Sequence, residues 1–397
     1  MTRRPGRSRR LGVVLPAVLI GVAGIVTRPL GPLAGTMLLV LTLPVLAASL
    51  DALGWAGIAA AQIRRARRSR TTELIVAYVA WLGVSSILTL DVAAVVAVPV
   101  GIRLADPNSE ASRQYHLGAA ILGANVGSLL FPFSNLTNLI LVSASGISFG
   151  AYLGASWLAQ LGAALAVGVL VAFRTRRSGR SGPAIEPEAA GPVAEMASGS
   201  IPRLTLGAGI VALVGAITAV VIGLAGGDIA VVFGVSAAVI AGCAIAAESS
   251  DIGVPALLRS IPPSGIAVVL FAAVAVSQLA PFAARLPDLQ ASLPAILALP
   301  AIALVGGLLA VSLNNLPAAA FGAIWLVGAS PAAVVAFLIG TNFFALATPH
   351  GSLATILSRQ LGLRHGVNLG ARAYLTSAWR YALVSSVVAL AALLVAR

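Results

Sequence analysis

Ala124-Asn125-Val126-Gly127-Ser128-Leu129-Leu130-Phe131-Pro132-Phe133-Ser134-Asn135-Leu136-Thr137-Asn138 lies inside an apolar stretch, 117–145, long enough to cross a bilayer. A spanning helix needs roughly 20 apolar residues. This stretch has that length, but Phe131-Pro132-Phe133-Ser134-Asn135 interrupts its centre. The reading is a helix broken in mid-membrane. Such a break strands backbone N–H and C=O groups in a medium without water, so they must face protein, a wet cavity or a ligand. A second copy follows. Gly123 to Leu136 aligns without gaps on Gly340 to Leu353, with Gly, Asn, Leu, Pro and Leu matching. There the apolar stretch 331–358 is interrupted at Thr348-Pro349-His350-Gly351-Ser352.

The rest of the chain agrees with a membrane setting. Of 397 residues, 59% are hydrophobic and 9% charged, against about 25% charged in ordinary soluble domains. The apolar stretches are long, hold Pro and Gly, and show no alternation. That favours a helical bundle over a barrel. Crossings are expected at 11–27, 30–50, 150–172, 203–223, 229–247, 264–280 and 372–396. Two stretches, 74–104 and 293–328, are over-long for one crossing. Each has a polar centre, Ser85-Ser86-Ile87-Leu88-Thr89-Leu90-Asp91 in one and Ser312-Leu313-Asn314-Asn315 in the other. Both read as re-entrant hairpins.

The order hairpin, broken helix, return helix therefore occurs twice. The expected fold is an all-α polytopic membrane protein of two inverted-topology repeats, each with a re-entrant hairpin and a broken transmembrane helix. The first repeat is 1–173, a polar cytoplasmic linker is 174–202, and 203–397 holds an extra crossing plus the second repeat. That extra crossing, 203–223, turns the second repeat upside down. Paired interrupted helices in inverted repeats mark many secondary transporters, whose sites lie at the repeat interface near the midplane.

Charge supports the topology. There are 25 basic and 12 acidic residues, a net charge of +13, and every basic residue is an arginine. The arginines sit in short runs beside apolar segments, as at 3–10, 64–70 and 174–180. That is the positive-inside pattern of cytoplasmic loops rather than a nucleic-acid surface. It puts the N-terminus in the cytoplasm and the chain in the plasma (inner) membrane. The single cysteine, Cys243, excludes an internal disulfide framework and a cysteine metal cluster. No His-Glu-x-x-His, Gly-x-Gly-Asp or Ser/His/Asp grouping is present, so an enzyme, a cofactor and a metal site are not expected.

Broken helices expose carbonyls and amides, and short polar side chains can complete a site around them. The expected solute-binding set is Thr89, Asn125, Ser134, Asn135, Asn138, Asn314, Asn315, Asn342, Thr348, Gly351 and Ser352. Asp91, deep in an apolar stretch at a hairpin tip, is the expected proton-coupling group, since intramembrane acids are functional candidates. The coupling ion is a proton, or sodium. The solute is a small inorganic oxyanion, a metalloid or a small anion.

These elements together resemble the arsenical pump membrane protein family of the ion transporter superfamily. Leu90-Asp91-Val92-Ala93-Ala94 with Pro99 resembles the family's Asn-Asn-Asp-Val-Ala-Ala element. Ala124 to Leu129 with Asn135 and Asn138, and Ser312-Leu313-Asn314-Asn315-Leu316-Pro317-Ala318, resemble two more. Asn342 with Thr348-Pro349-His350-Gly351-Ser352-Leu353-Ala354-Thr355 resembles the most specific one. The likeness implies efflux of arsenite or antimonite driven by protons, or with a soluble ATPase subunit as partner. A homodimer is a further expected assembly, with membrane lipid around it. Thr89 and Leu90 replace the family's first Asn pair, and His350 replaces an apolar residue, so the substitutions fall at the site itself. The superfamily also holds sodium/proton antiporters and small organic-anion carriers, which are the alternatives.

Overall fold

The computed structural model describes residues 34–65, 70–87, 89–106, 108–178, 203–247, 253–261 and 285–396, with a few isolated positions between 262 and 284. The expected crossings at 11–27 and 264–280, and nearly all of the 174–202 linker, lie outside the described residues. Every regular element among the described residues is helical. Among these residues five helices are long and apolar enough to cross a membrane: Phe149–Thr175, Arg203–Leu224, Ile229–Ala246, Ala295–Ser312 and Ala371–Val395. The chain is an all-α polytopic membrane protein.

The chain divides into two compact units, and each draws on both halves of the sequence. One comprises 1–56 and 199–274, the other 57–198 and 275–397. The first holds α1 (Ala34–Ala52), α8 (Arg203–Leu224), α9 (Ile229–Ala246) and α10 (Val254–Leu258). Here α9 packs on α1 and α8. Asp228 caps α9, its carboxylate accepting from Ala230 N at 2.8 Å. The start of α8 is tied to the turn after α1. Trp55 Nε1 donates to Thr205 O at 3.0 Å, and Thr205 Oγ1 donates to Leu53 O at 2.9 Å. The indole ring lies on Gly209, where any Cβ would overlap ring carbons. Gly209→Leu should therefore displace Trp55 and lower the stability of the purified protein by about 1–3 kcal/mol. Gly207, where an added Cβ would have nothing within 4 Å, should accept leucine without loss. Thermal unfolding of the two variants checks the difference.

The second unit begins within helix α2 (Trp55–Arg65). It continues with α3 (Arg70–Ile87), α4 (Leu90–Leu104), α5 (Glu110–Val126), α6 (Leu136–Ser145) and α7 (Phe149–Ser178). From the second half come α11 (Leu289–Ser292), α12 (Ala295–Ser312), α13 (Asn315–Trp325), α14 (Pro331–Phe343), α15 (Leu353–Arg364) and α16 (Ala371–Val395). The over-long stretches are divided helices, as the polar centres demand: α3 gives way to α4 around Thr89, and α12 to α13 at Leu313-Asn314. Both interrupted spans are broken. Between α5 and α6 the chain passes through 3₁₀ turns Gly127–Leu129 and Pro132–Ser134, and after α14 through the turn Phe344–Ala347.

Some boundaries differ from the sequence reading. Helix α5 starts at Glu110, not near 117. Its polar first turns are helical because Ser109 caps them, accepting from Ser112 N at 3.2 Å, and because Glu110 pairs with Arg113 at 2.8 Å. Helix α15 runs on to Arg364, and α7 continues through Arg174 to Ser178. Arginine is a good helix former, and apolarity alone marks neither end.

Small residues set the helix spacing, as in membrane bundles generally. Gly123 and Gly340, equivalent in the aligned copies, do the same job. A Cβ on Gly123 would lie 2.7 Å from Trp81 Cβ and 2.8 Å from Tyr78 O of α3. One on Gly340 would overlap Ala303 O of α12 and lie 2.6 Å from Gly307 N. In both halves a glycine lets the broken helix press against the first leg of its hairpin.

Candidate solute site at the paired helix breaks

The aligned register pairs Asn125 with Asn342, Asn135 with Ser352, and Asn138 with Thr355. Asn125 and Asn342 sit at the ends of α5 and α14, in the last turn before each break. Asn135 and Ser352 cap the helices that follow. Asn135 Oδ1 accepts from Thr137 N at 3.2 Å, and Ser352 Oγ from Thr355 N at 3.1 Å. Each capping side chain offers the acceptor that a helix start needs.

The two breaks then exchange contacts. Ser352 Oγ donates to Asn125 Oδ1 at 3.0 Å, and Asn125 Nδ2 reaches Thr355 Oγ1 at 3.5 Å. In return, Asn135 Nδ2 donates to Asn342 Oδ1 at 3.1 Å, and Asn342 Nδ2 to Asn138 Oδ1 at 2.8 Å. Thr137 Oγ1 adds a 2.8 Å bond to Asn342 Oδ1. The residue before one break thus bonds the two residues that start the helix after the other, in both directions. Such exchanged contacts are what a two-fold relation between elements produces. The helices follow the same rule: α4 packs on α15, and α13 on α6.

These side chains are buried. Asn125, Asn135, Asn138, Asn342, Ser134 and Ser352 each expose 1% or less. Ser134 Oγ and Asn138 Nδ2 both donate to Ser128 O, at 2.7 Å, and Ser128 Oγ donates to Asn125 O at 2.6 Å. The two amide clusters are therefore one continuous network. Its side chains are amides and hydroxyls, so its recognition chemistry is neutral hydrogen bonding with both donors and acceptors.

The hairpin tips reach the same region. Leu90, Ala93 and Ala94 of α4 pack with Ala124 and Ala354, which neighbour Asn125 and Ser352. This brings the start of α4, with Thr89 and Asp91, beside the network. Thr89 is buried, and the side chain of Asp91 lies outside the described residues. At the other tip, Asn315 N donates to Gly351 O at 2.7 Å and Asn314 Nδ2 to His350 O at 2.6 Å. Asn314 has φ 142°, unusual for any residue but glycine, and such backbone costs about 1–3 kcal/mol. Its amide offsets part of that by also capping α13, accepting from Leu316 N at 3.1 Å. His350 is exposed, and its Nε2 lies 2.9 Å from Val311 O. Gly351 is required where it is, because a Cβ there would overlap Ala345 O and meet Thr348 Oγ1. Two buried oxygens at this tip, Asn315 Oδ1 and Thr348 Oγ1, have no hydrogen-bond partner among the described residues.

Two residues absent from the sequence reading stand out. Glu73 at the start of α3 and His116 of α5 form a pair 3.4 Å apart, with side chains 5% and 7% exposed. The apolar stretches begin at 74 and 117, one residue beyond each. The signal available was an acid and a histidine at the edges of neighbouring apolar stretches.

No protein-family model matches the chain, and no curated protein matches it. A solved structure that does match is that of the YdaH transporter of Alcanivorax borkumensis, described as revealing an unusual topology. The likeness has a TM-score of 0.55 at 14% identity, over 98% of this chain and 96% of that one. It shows that this fold, over nearly its full length, is one a membrane transporter adopts.

Proposed function

We propose that the chain is a secondary transporter of the plasma membrane that exports arsenite or antimonite in exchange for protons. The observation that carries this reading is the exchanged amide contact between the breaks, Asn125 with Ser352 and Thr355, Asn342 with Asn135 and Asn138. Two inverted repeats meeting at their breaks give a small site of neutral donors and acceptors. Trihydroxy arsenic is mostly uncharged at neutral pH and offers three hydroxyls to such a lining. With one cysteine, the chain offers no three-thiolate site. Thr89, Asn125, Ser134, Asn135, Asn138, Asn314, Asn315, Asn342, Thr348, Gly351 and Ser352 form the site, and Asp91 carries the proton. The arginine runs keep the N-terminus and the 174–202 linker cytoplasmic, and that linker is where an ATPase subunit would dock.

A second reading, a sodium/proton antiporter of the same superfamily, is favoured by one observation. Asn315 Oδ1 and Thr348 Oγ1 are buried oxygens without donors among the described residues, the type of ligand a hard cation takes. Expression in a metalloid-sensitive host separates the two. The first reading predicts growth on arsenite and antimonite with unchanged sodium tolerance, and the second predicts the reverse. In proteoliposomes, Asp91→Asn is expected to abolish pH-driven arsenite flux while the protein stays in the membrane. Unchanged flux removes Asp91 from the mechanism.

A further inference from the structure

The two breaks are held differently. Interrupting α5 frees the carbonyls of Leu129 and Leu130, which a continuing helix would have bonded four residues on. Helix α7 takes both. Tyr152 Oη donates to Leu129 O at 2.7 Å, and Ser156 Oγ to Leu130 O at 2.9 Å. One turn further along the same face, the Gln160 carboxamide grips both ends of the 3₁₀ turn. Its Nε2 donates to Val126 O at 2.7 Å, and its Oε1 accepts from Leu129 N at 3.0 Å. Ser86 Oγ of α3 also donates to Gly127 O, at 2.8 Å. Tyr152, Ser156 and Gln160 are all buried.

Helix α16 occupies the same place in the element order after the second break, and packs on its 3₁₀ turn. At the same four-residue spacing it buries Tyr374, Ala378 and Ala382. The two alanines have no side-chain donor. Among the described residues, the second hairpin tip bonds the 348–352 backbone through the Asn314 side chain and the Asn315 backbone N–H, and no side chain of α16 does so. Among the same residues, buried Thr348 Oγ1, and Ser386 Oγ on α16, lack partners.

We infer that Gln160 is a positioning residue that fixes the first break to α7, so that the site has one rigid wall and one wall, the second break, that exchanges its polar partners. This rests on the breaks forming the transport site, but its test needs no solute. Hydrogen–deuterium exchange of the full-length protein in proteoliposomes reads the two breaks separately. Amides at 127–131 should exchange at least about tenfold more slowly than those at 345–352. Gln160→Leu, similar in volume, should remove that difference by speeding 127–131 alone. Equal exchange of the two breaks in the parent, or unaltered protection at 127–131 in Gln160→Leu, overturns the inference.

Gln160→Glu adds a signature that a merely space-filling role would not give. A carboxylate can accept from Leu129 N but cannot donate to Val126 O, whereas the protonated acid can do both. Corrected for intrinsic exchange, protection at 127–131 should rise in Gln160→Glu as pH falls from about 8 to about 5, with no such rise in the parent. A flat profile in this variant contradicts the grip even if Gln160→Leu does not fold. Because no transported species enters the measurement, its failure is distinct from a failure to move arsenite.

Discussion

Asn342→Leu is expected to lose transport and about 3 kcal/mol of stability. Leucine keeps the branch at Cγ but is bulkier, so some overpacking adds to the loss. What changes most is the bonding: the Asn342 amide accepts from Asn135 Nδ2 and Thr137 Oγ1 and donates to Asn138 Oδ1. All three partners are buried, and a polar group orphaned in an interior costs about 1–3 kcal/mol. Hydrogen bonds between membrane helices average nearer 0.6 kcal/mol, with a maximum of about 1.7. Three bonds at about 1 kcal/mol each, between that average and that maximum, give the expected figure. Thermal unfolding in detergent, with leucine at half-exposed Val142 as a control, measures it. A variant as stable as the parent would show that the network carries no load.

Gly340→Val should be more damaging still. Even the first side-chain carbon at 340 would overlap Ala303 O and sit 2.6 Å from Gly307 N. Both obstacles are backbone, so no rotamer change relieves them. Helices α12 and α14 would have to separate, opening Gly306 against Phe337 and Gly307 against Phe344 as well. Overpacking a well-filled interior typically costs about 1–3 kcal/mol, and more when backbone must shift. The expected result is protein that fails to accumulate in the membrane, read by immunoblot of membrane fractions. Valine at Gly118, where nothing stands within 4 Å of the added carbon, should accumulate normally.

Much of the architecture was legible because a proline with polar neighbours inside an apolar stretch has few explanations. Pro132 and Pro349 mark breaks that the structure places within a few residues of the expected positions. The correspondence of Gly123 with Gly340 was legible because close helix approach tolerates nothing larger. The partnering of the breaks was not legible. That Asn125 meets Ser352 while Asn342 meets Asn138 depends on contacts between distant parts of the chain, which no local pattern encodes. The same holds for the two compact units, each assembled from both halves. Tyr152, Ser156 and Gln160 were missed for a different reason. A polar stripe on an apolar helix is equally the mark of a water-facing side, and only the freed carbonyls of Leu129 and Leu130 distinguish the two. Glu73 and His116 escaped because a hydropathy window ends where charge begins.

On the proposed function, Asn125 and Asn342 act as one solute site across the two breaks. Proton-driven arsenite uptake into everted vesicles, compared among the parent, Asn125→Ser, Asn342→Ser and the double variant, tests it most directly. Serine keeps a hydrogen-bonding group at each position and spares the fold. The expected result is concentrative uptake by the parent, a loss of about tenfold or more in each single variant, and no greater loss in the double, as for groups acting as a unit. Parent-like uptake by either single variant, or losses that multiply in the double, would contradict it.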